Sequence, residues 1–282
     1  MKSRLLLLLA ALLWSTSGAA IKLTTLNGPQ VAAGRSFFAA LALLVLSRGA
    51  RSWPTWRSAG IGLSYALTVG LFAMANKLTT AANSIFLQDA APLYVMVLST
   101  FWLKERPTRG ELLAAPVFLT GLGLFFLDQL GPGQAQGNAL AIGAGVAFGL
   151  TIVLLRRYPE EGARSLLVGN LIAAVLFAPG AVGGPVPTPS DWGLLVFLGV
   201  VQLALPYLAF AKAVRVVPAT EASLLVLLEP VLNPAWAFLI AGERPGPWAM
   251  VGGAVILGAT IWRVLAARAA QMRPRGPAGS TS

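Results

Sequence analysis

Two carboxylates stand inside long apolar stretches of this chain, where a bilayer would leave them without water. Glu229 lies in the middle of residues 218–241, directly before Pro230, and Asp89 lies within residues 80–102. A charged side chain at the centre of a membrane costs roughly 2.5–3.5 kcal/mol on insertion scales, so such residues commonly mark a substrate or ion path. The sequence therefore makes both carboxylates candidates for binding a cation or carrying a proton.

Each of these charges also has a structural interpretation. Glu229 could be neutral or hydrogen-bonded between helices, with Pro230 only setting a kink, and the sequence leaves the two roles equally open. Asp89 could balance a substrate ammonium, but the sequence slightly favours a buried pairing with Arg35 or Lys77. Arg35 could hold a substrate carboxylate, but snorkelling outward or bracing neighbouring helices is the favoured interpretation.

Aromatic and amide side chains on other apolar stretches complete the candidate site. Aromatic rings could receive apolar or cationic groups, and amides could bind a zwitterion. Rings that only fill the core or face lipid, and amides that only join helices, are the ordinary alternatives. The candidate substrate-binding residues are Trp14, Ser17, Asn76, Phe86, Asp89, Tyr94, Phe148, Gln202, Tyr207, Glu229 and Asn233. Proline breaks the hydrogen-bond ladder of a helix, and the candidate hinges are Pro92, Pro206, Pro230 and Pro234.

The composition places these residues in an integral membrane protein. The chain of 282 residues is 56% hydrophobic and only 11% charged, whereas soluble domains are about 25% charged. Ten apolar runs come close to the roughly 20 residues that a spanning helix needs. They cover approximately residues 5–22, 31–47, 58–75, 80–102, 110–127, 138–156, 164–182, 191–212, 218–241 and 247–266. We therefore predict an all-α membrane protein with ten transmembrane helices.

The residue types that the chain lacks, and the placement of its basic residues, exclude further classes of function. The chain has no Cys and no His, so it offers no thiolate or imidazole for a metal, and we expect neither a metal nor a cofactor. The net charge of +11 would suggest a nucleic acid partner in a soluble chain. Here the basic residues lie in short links between apolar runs, and they predict orientation instead. With the amino terminus inside, most Lys and Arg fall on one side, which predicts two cytoplasmic termini.

The first apolar run resembles a signal peptide, with a basic start and small residues at its end. We interpret it as the first span, and we expect no cleavage, because its removal would leave the second half of the chain unpaired.

The chain consists of two similar sequence repeats in tandem. With an offset of 138 residues, Ala81 aligns with Ala219, Pro92 with Pro230, and the Glu-Arg-Pro triplet at 105–107 with that at 243–245. Because each unit holds five runs, the second must cross the membrane upside down relative to the first. Inverted repeats of this kind are typical of transporters that bind substrate near the midplane. The predicted divisions are residues 1–131, 132–268 and a disordered cytoplasmic tail at 269–282.

The repeated segments resemble a known family. The stretches KLTTAANSIFLQDAAP with LKERP, and RVVPATEASLLVLLEP with AGERP, are similar to the drug/metabolite transporter superfamily and specifically to its EamA-type members. The likeness covers residues 3–268, and within the superfamily the chain is most similar to YddG-like amino acid exporters. In the first half Ala91 replaces the Glu of the Glu-Pro pair.

The resemblance implies a secondary transporter in a bacterial inner membrane, and not an enzyme. We expect it to export small amphipathic metabolites, above all neutral or aromatic amino acids, by alternating access. The alternative is proton-coupled efflux of organic cations through Glu229 or Asp89, and a membrane scaffold or an intramembrane enzyme is less favoured. The expected partners are a small-molecule substrate and the lipid bilayer. A monomer can enclose a path, and a dimer stays open.

Overall fold

The computed structural model of the protein describes residues 2–79, 81–127, 135–232, 236 and 247–272, and its regular elements are all helical. The α-helices are α1 (Lys2–Trp14), α2 (Ser17–Leu23), α3 (Gly28–Leu46), α4 (Trp56–Leu78), α5 (Ala81–Gln88), α6 (Ala91–Trp102), α7 (Arg109–Leu127), α8 (Ala135–Arg157), α9 (Gly162–Phe177), α10 (Pro189–Phe197), α11 (Leu205–Ala213), α12 (Ala219–Leu225) and α13 (Pro247–Met272). A π-helical segment, Leu198–Ala204, joins α10 to α11, and residues 228–232 are helical again after α12.

Five helical stretches of the described chain are long and apolar enough to cross a bilayer. They are Lys2–Leu23, Gly28–Leu46, Trp56–Leu78, Ala135–Arg157 and Pro189–Ala213. Shorter apolar helices occupy Ala91–Leu103, Leu112–Gly121 and Met250–Ala259. Helices overlap all ten apolar runs of the sequence, while the number of crossings and their inverted order stay predictions.

Several of these helices are interrupted near their middle. Two non-helical residues, 15–16, separate α1 from α2, and two more, 89–90, separate α5 from α6. Residues 226–227 interrupt the helix after α12 at the position that the offset of 138 residues equates with 88–89. The fourth irregularity is the π segment, a geometry that is rare and often found at functional sites.

Prolines explain three of the four irregularities. Pro92, Pro206 and Pro230 each follow an interruption within a few residues. A proline has no N–H for the carbonyl four residues earlier, so these prolines cannot pair with the carbonyls of residues 88, 202 and 226. The carbonyl of Val226 accepts the N–H of Glu229 at 2.9 Å instead. The predicted bend points therefore coincide with irregular backbone, and their movement stays a prediction. Pro234 lies outside the described residues.

Small residues let the central helices approach closely. Helix α4 contacts α3, α8 and α9, and Gly62 on α4 faces Gly169 on α9 so tightly that an added Cβ would lie 2.9 Å from a backbone nitrogen. Gly199 in the π segment meets α3 in the same way, since its Cβ would lie 2.5 Å from the Arg35 carbonyl. Contacts of this type are the usual means of joining helices in membranes.

Charged side chains tie the helix ends together at one end of the bundle, which we call the arginine end. Arg4 binds Glu221 through two hydrogen bonds of 2.6 and 3.2 Å. Glu105 accepts from Arg156 at 2.8 Å and from the backbone N–H of Ala219 at 3.3 Å. Glu105 thus joins the first half of the chain to the start of α12.

Two lysines mark the opposite end, which we call the lysine end. Lys22 donates to the carbonyl of Thr79 at 2.9 Å, and Lys77 donates to the carbonyl of Thr24 at 2.8 Å. Each cation thus lies at the carboxyl end of the other's helix, where the helix dipole favours positive charge.

The last helix extends past the boundary that the sequence suggested. We predicted a disordered tail from residue 269, but α13 continues to Met272, because AARAAQM consists largely of good helix formers. Residues 273–282 and the predicted division at residue 131 lie outside the described part of the chain.

Two glycines of the same span provide a test of the close packing. We expect Gly199→Ala to destabilise the protein by about 1–3 kcal/mol, because overpacking against backbone atoms costs that much. Gly193 has no atom within 4 Å of an added Cβ, so Gly193→Ala should be neutral or stabilising by up to about 1 kcal/mol. Thermal unfolding in detergent measures both variants, and equal changes in the two would contradict the packing described above.

Candidate functional site

The interrupted helices meet around one buried cavity. It contains about 300 Å³ of space that no atom fills, counting its open side. Its lining includes residues next to three of the four irregularities: Trp14 at the end of α1, Gln88 at the end of α5, and Gln202 in the π segment. The complete lining is Trp14, Arg35, Thr68, Val69, Phe72, Gln88, Phe148, Gln202, Leu203, Tyr207 and Glu229.

Arg35 is the cation of this cavity. Only 1% of the residue is exposed. Its two terminal nitrogens donate to the side chain of Gln202, at 3.3 Å, and to the carbonyl of Val69. Its Nε has no hydrogen-bond partner among the described residues, and no carboxylate of the described chain lies within 4 Å of the guanidinium. Within the described residues, Arg35 therefore keeps a charge without a carboxylate and a donor without an acceptor.

Two carboxylates lie at the same level of the bundle. Glu229 lines the cavity, and Asp89 is close enough to interact with it electrostatically. Both are almost fully buried, and Asp89 Oδ2 has no partner within the described chain. Tyr207 lies within electrostatic range of both carboxylates and of Arg35. The site thus combines a basic group, acidic groups and a phenol, which suits a ligand with both charges.

The side of the cavity towards the arginine end is closed by five buried rings, Trp14, Tyr65, Phe148, Tyr207 and Phe210, which we call the aromatic cluster. On α4, Tyr65 lies one turn nearer to the arginine end than Thr68 and Val69, which line the cavity. On α11, Phe210 lies one turn nearer to that end than Tyr207, which lines the cavity. The rings meet mostly edge to face, as aromatic pairs prefer. The cluster therefore forms the floor of the cavity.

Short side-chain hydrogen bonds hold the interruption of the first helix. The hydroxyls of Ser15 and Thr16 donate at 2.7 Å to the carbonyls of Leu12 and Leu13, and these bonds satisfy carbonyls that the broken helix leaves free. Ser15 also accepts a 2.8 Å hydrogen bond from the indole of Trp236. This backbone break fixes the position of the Trp14 ring at the cavity.

The structure brings together five of the predicted binding residues: Trp14, Phe148, Gln202, Tyr207 and Glu229 all line the cavity. The predicted roles of these residues in binding stay predictions.

Other predicted residues lie away from the cavity lining. Ser17 and Asn76 are fully buried and each keeps one polar atom without a partner in the described chain. Tyr94 is half-buried on α6, and its Cβ approaches Gly149. The side chain of Phe86 and all of Asn233 are outside the described residues.

Of two structural interpretations of charged residues, one held in part and the other was wrong. Arg35 lines the cavity and does not snorkel outward, but it braces neighbouring helices, because it binds Gln202 in the π segment and Val69 on α4. Asp89 forms no salt bridge with Arg35 or Lys77 within the described chain, and Lys77 binds the carbonyl of Thr24 instead. A mid-span arginine next to small residues was the available signal for Arg35, whereas nothing in the sequence distinguished Thr68, Val69 or Phe72 as cavity residues.

Comparison with known proteins assigns the chain to a family. The EamA-like transporter family matches residues 1–127 and 135–265, which together make up most of the 282 residues. The uncharacterized transporter YwfM of Bacillus subtilis is 27% identical over 271 residues, covering 90% of each chain.

Two further similarities concern substrate and fold. The threonine/homoserine exporter RhtA of Salmonella typhimurium is 30% identical over 194 residues, covering 64% of this chain and 63% of RhtA. A solved crystal structure with 22% identity superposes with a TM-score of 0.76 and covers 94% of this chain and 98% of its own. The latter shows that the two chains share a fold.

The contact between Glu105, Arg156 and Ala219 predicts how the cavity is closed at the arginine end. We expect Glu105→Gln to loosen this end, because it removes a charge-assisted hydrogen bond. A cysteine introduced as Val69→Cys should then react about tenfold faster with a water-soluble thiol reagent, which corresponds to about 1.4 kcal/mol. The chain has no native cysteine, so the introduced thiol alone reports the change.

Glu160→Gln is the matched control for this experiment. Glu160 lies 3.7 Å from Arg57 at the same end, but its side chain is 59% exposed, and exposed ion pairs contribute little. Equal labelling rates in the two variants would show that Glu105 does not hold the arginine end closed.

Proposed function

Because the chain belongs to the EamA-like transporter family, we propose that it is a secondary transporter that exports small neutral amino acids. The family and the apolar helices make it an integral membrane protein that carries a small molecule. The choice of an amino acid as cargo is our proposal, and the cavity chemistry supports it.

One observation carries this proposal: the guanidinium of Arg35 is buried, charged and without a carboxylate partner in the described chain. A buried charge without a partner is strongly unfavourable, so a carboxylate from the substrate would offset the cost. Planar guanidinium groups suit carboxylates because they donate parallel hydrogen bonds. Glu229 on the same cavity could then receive the substrate ammonium, which together describes an α-amino acid.

The relatives agree with this choice of cargo. RhtA is named as an exporter of threonine and homoserine, which are both small neutral amino acids. The sequence also suggested aromatic amino acids. The structure gives them less support, because the rings of the aromatic cluster cover one another's faces instead of leaving a flat surface for stacking.

The mechanism that we propose is alternating access, without catalysis or a cofactor. The two inverted halves would rock about the cavity, and the helix interruptions before Pro92, Pro206 and Pro230 would allow them to bend. The arginine end would face the cytoplasm of a bacterial inner membrane, in keeping with the excess of positive charge there. One chain would suffice for transport.

A second candidate function is the proton-coupled efflux of organic cations. One feature favours it: Asp89 interacts electrostatically with Glu229, and Glu229 lines a cavity whose wall also carries aromatic rings. Two neighbouring carboxylates can exchange a proton for a cation, since like charges disfavour the simultaneous ionisation of both.

Counterflow of radiolabelled amino acids into liposomes tests the role of Arg35. We expect saturable exchange by the wild type, a loss of about tenfold or more in Arg35→Gln, and a smaller loss in Arg35→Lys, which keeps the charge without the planar donors. Arg57→Gln removes an arginine whose side chain is 44% exposed and serves as the control. Full exchange by a folded Arg35→Gln variant would refute the proposed carboxylate site.

A pH gradient distinguishes the two candidate functions. Export of amino acids by exchange predicts counterflow that needs no gradient, with Glu229→Gln reducing exchange because the ammonium loses its partner. Cation efflux predicts instead that an organic cation accumulates only when a gradient is imposed, and that Glu229→Gln abolishes this accumulation. Gradient-driven cation uptake without any amino acid exchange would replace the first function by the second.

A further inference from the structure

We propose that Trp14 determines which side chains the transporter accepts, and that it selects short side chains carrying a hydrogen-bond acceptor, such as a hydroxyl. This inference rests on the proposed function as an amino acid exporter and adds the specificity of its site.

The first argument is the unpaired indole N–H. Trp14 is 3% exposed, and its Nε1 has no hydrogen-bond partner in the part of the chain that the structure describes. The residue lines the cavity, so the unpaired donor belongs to a ring that a bound ligand would touch. Buried donors are nearly always paired in proteins, and an unpaired one on a ligand cavity indicates an acceptor on the ligand.

The second argument is that the ring cannot easily move aside. Its centroid lies 4.7 Å from the ring of Tyr207, 5.5 Å from that of Phe210 and 5.7 Å from that of Phe148. Two of these neighbours, Phe148 and Tyr207, line the cavity as well, and Phe210 is fully buried, so three rings pack against the indole. The next residue along the chain, Ser15, is held by Trp236 and by the carbonyl of Leu12. The floor of the cavity is therefore fixed, and it limits the length of the substrate side chain.

The third argument is that different groups of the cavity are available for different parts of the substrate. Arg35 offers its Nε to a carboxylate and Glu229 is available for an ammonium, so both charged backbone groups of an amino acid would have a partner. Among the polar groups of the floor, the indole N–H is the donor that has no partner in the described chain, so it is the group left for the substrate side chain. A hydroxyl can accept from it, whereas a methyl group of the same size leaves it unpaired. Sites built to bind a hydroxyl reject analogues that lack one more strongly than they reject a change in size.

The test uses threonine and valine, which have the same shape and differ by one hydroxyl, together with phenylalanine as a long side chain. In counterflow we expect the wild type to exchange threonine at least about tenfold better than valine, within the range of about 5- to 150-fold that one such hydrogen bond supports. We expect it to exclude phenylalanine.

Two variants of Trp14 separate the N–H from the ring. Trp14→Phe keeps a ring without a donor, so the preference for threonine over valine should fall to about twofold or less while phenylalanine stays excluded. Trp14→Leu shortens the floor and should admit phenylalanine. Phe118→Leu is the control, because Phe118 is an equally buried ring that packs with α12 and α13 away from the cavity. It should change neither ratio, and thermal unfolding reports whether each variant is folded.

An unchanged threonine-to-valine ratio in a folded, exchanging Trp14→Phe variant would overturn the role of Trp14 while leaving the proposed export of amino acids intact. A wild-type protein that exchanges none of the three amino acids would overturn both proposals together.

Discussion

The cavity depends on the burial of a single guanidinium. Arg35 stays charged at ordinary pH, and a low-dielectric interior makes an isolated charge expensive. The fold meets part of this cost with the carbonyl of Val69 and the side chain of Gln202. It brings α3 against Gly199 so that the guanidinium reaches both groups. No carboxylate of the described chain offsets the rest of the free energy that burying this charge costs, so binding of an anion at the site would be favourable.

Irregular backbone places the other groups around this cation. A continuous helix satisfies its own carbonyls and offers a cavity only side chains. The breaks at residues 15–16, 89–90 and 226–227 and the π segment instead release backbone groups at one level of the bundle. Hydroxyls of Ser15 and Thr16 take up two of the freed carbonyls.

The sequence predicted the helical architecture more completely than it predicted the contacts between side chains. Apolar runs and prolines are local signals, so the helices and the interruptions before Pro92, Pro206 and Pro230 could be expected from them. Five of the eleven predicted binding residues line the cavity. The sequence left Arg35 open between snorkelling and bracing helices, because its spacing from the end of the span is compatible with both. The link from Glu105 to Ala219 joins residues 114 positions apart, and no periodicity encodes such a contact.

The two halves share a framework but not their charges. The offset of 138 residues equates Thr68 and Val69 with Pro206 and Tyr207, and all but Pro206 line the cavity. The cation, however, comes from α3 in the first half, and the cavity carboxylate, Glu229, comes from the second. A zwitterion bound to both would bridge the halves through opposite charges, so its binding energy would depend on their separation. Under the proposed function, divergence of the repeats in this way would link substrate binding to the relative movement of the halves, which a symmetric pair of sites would not achieve.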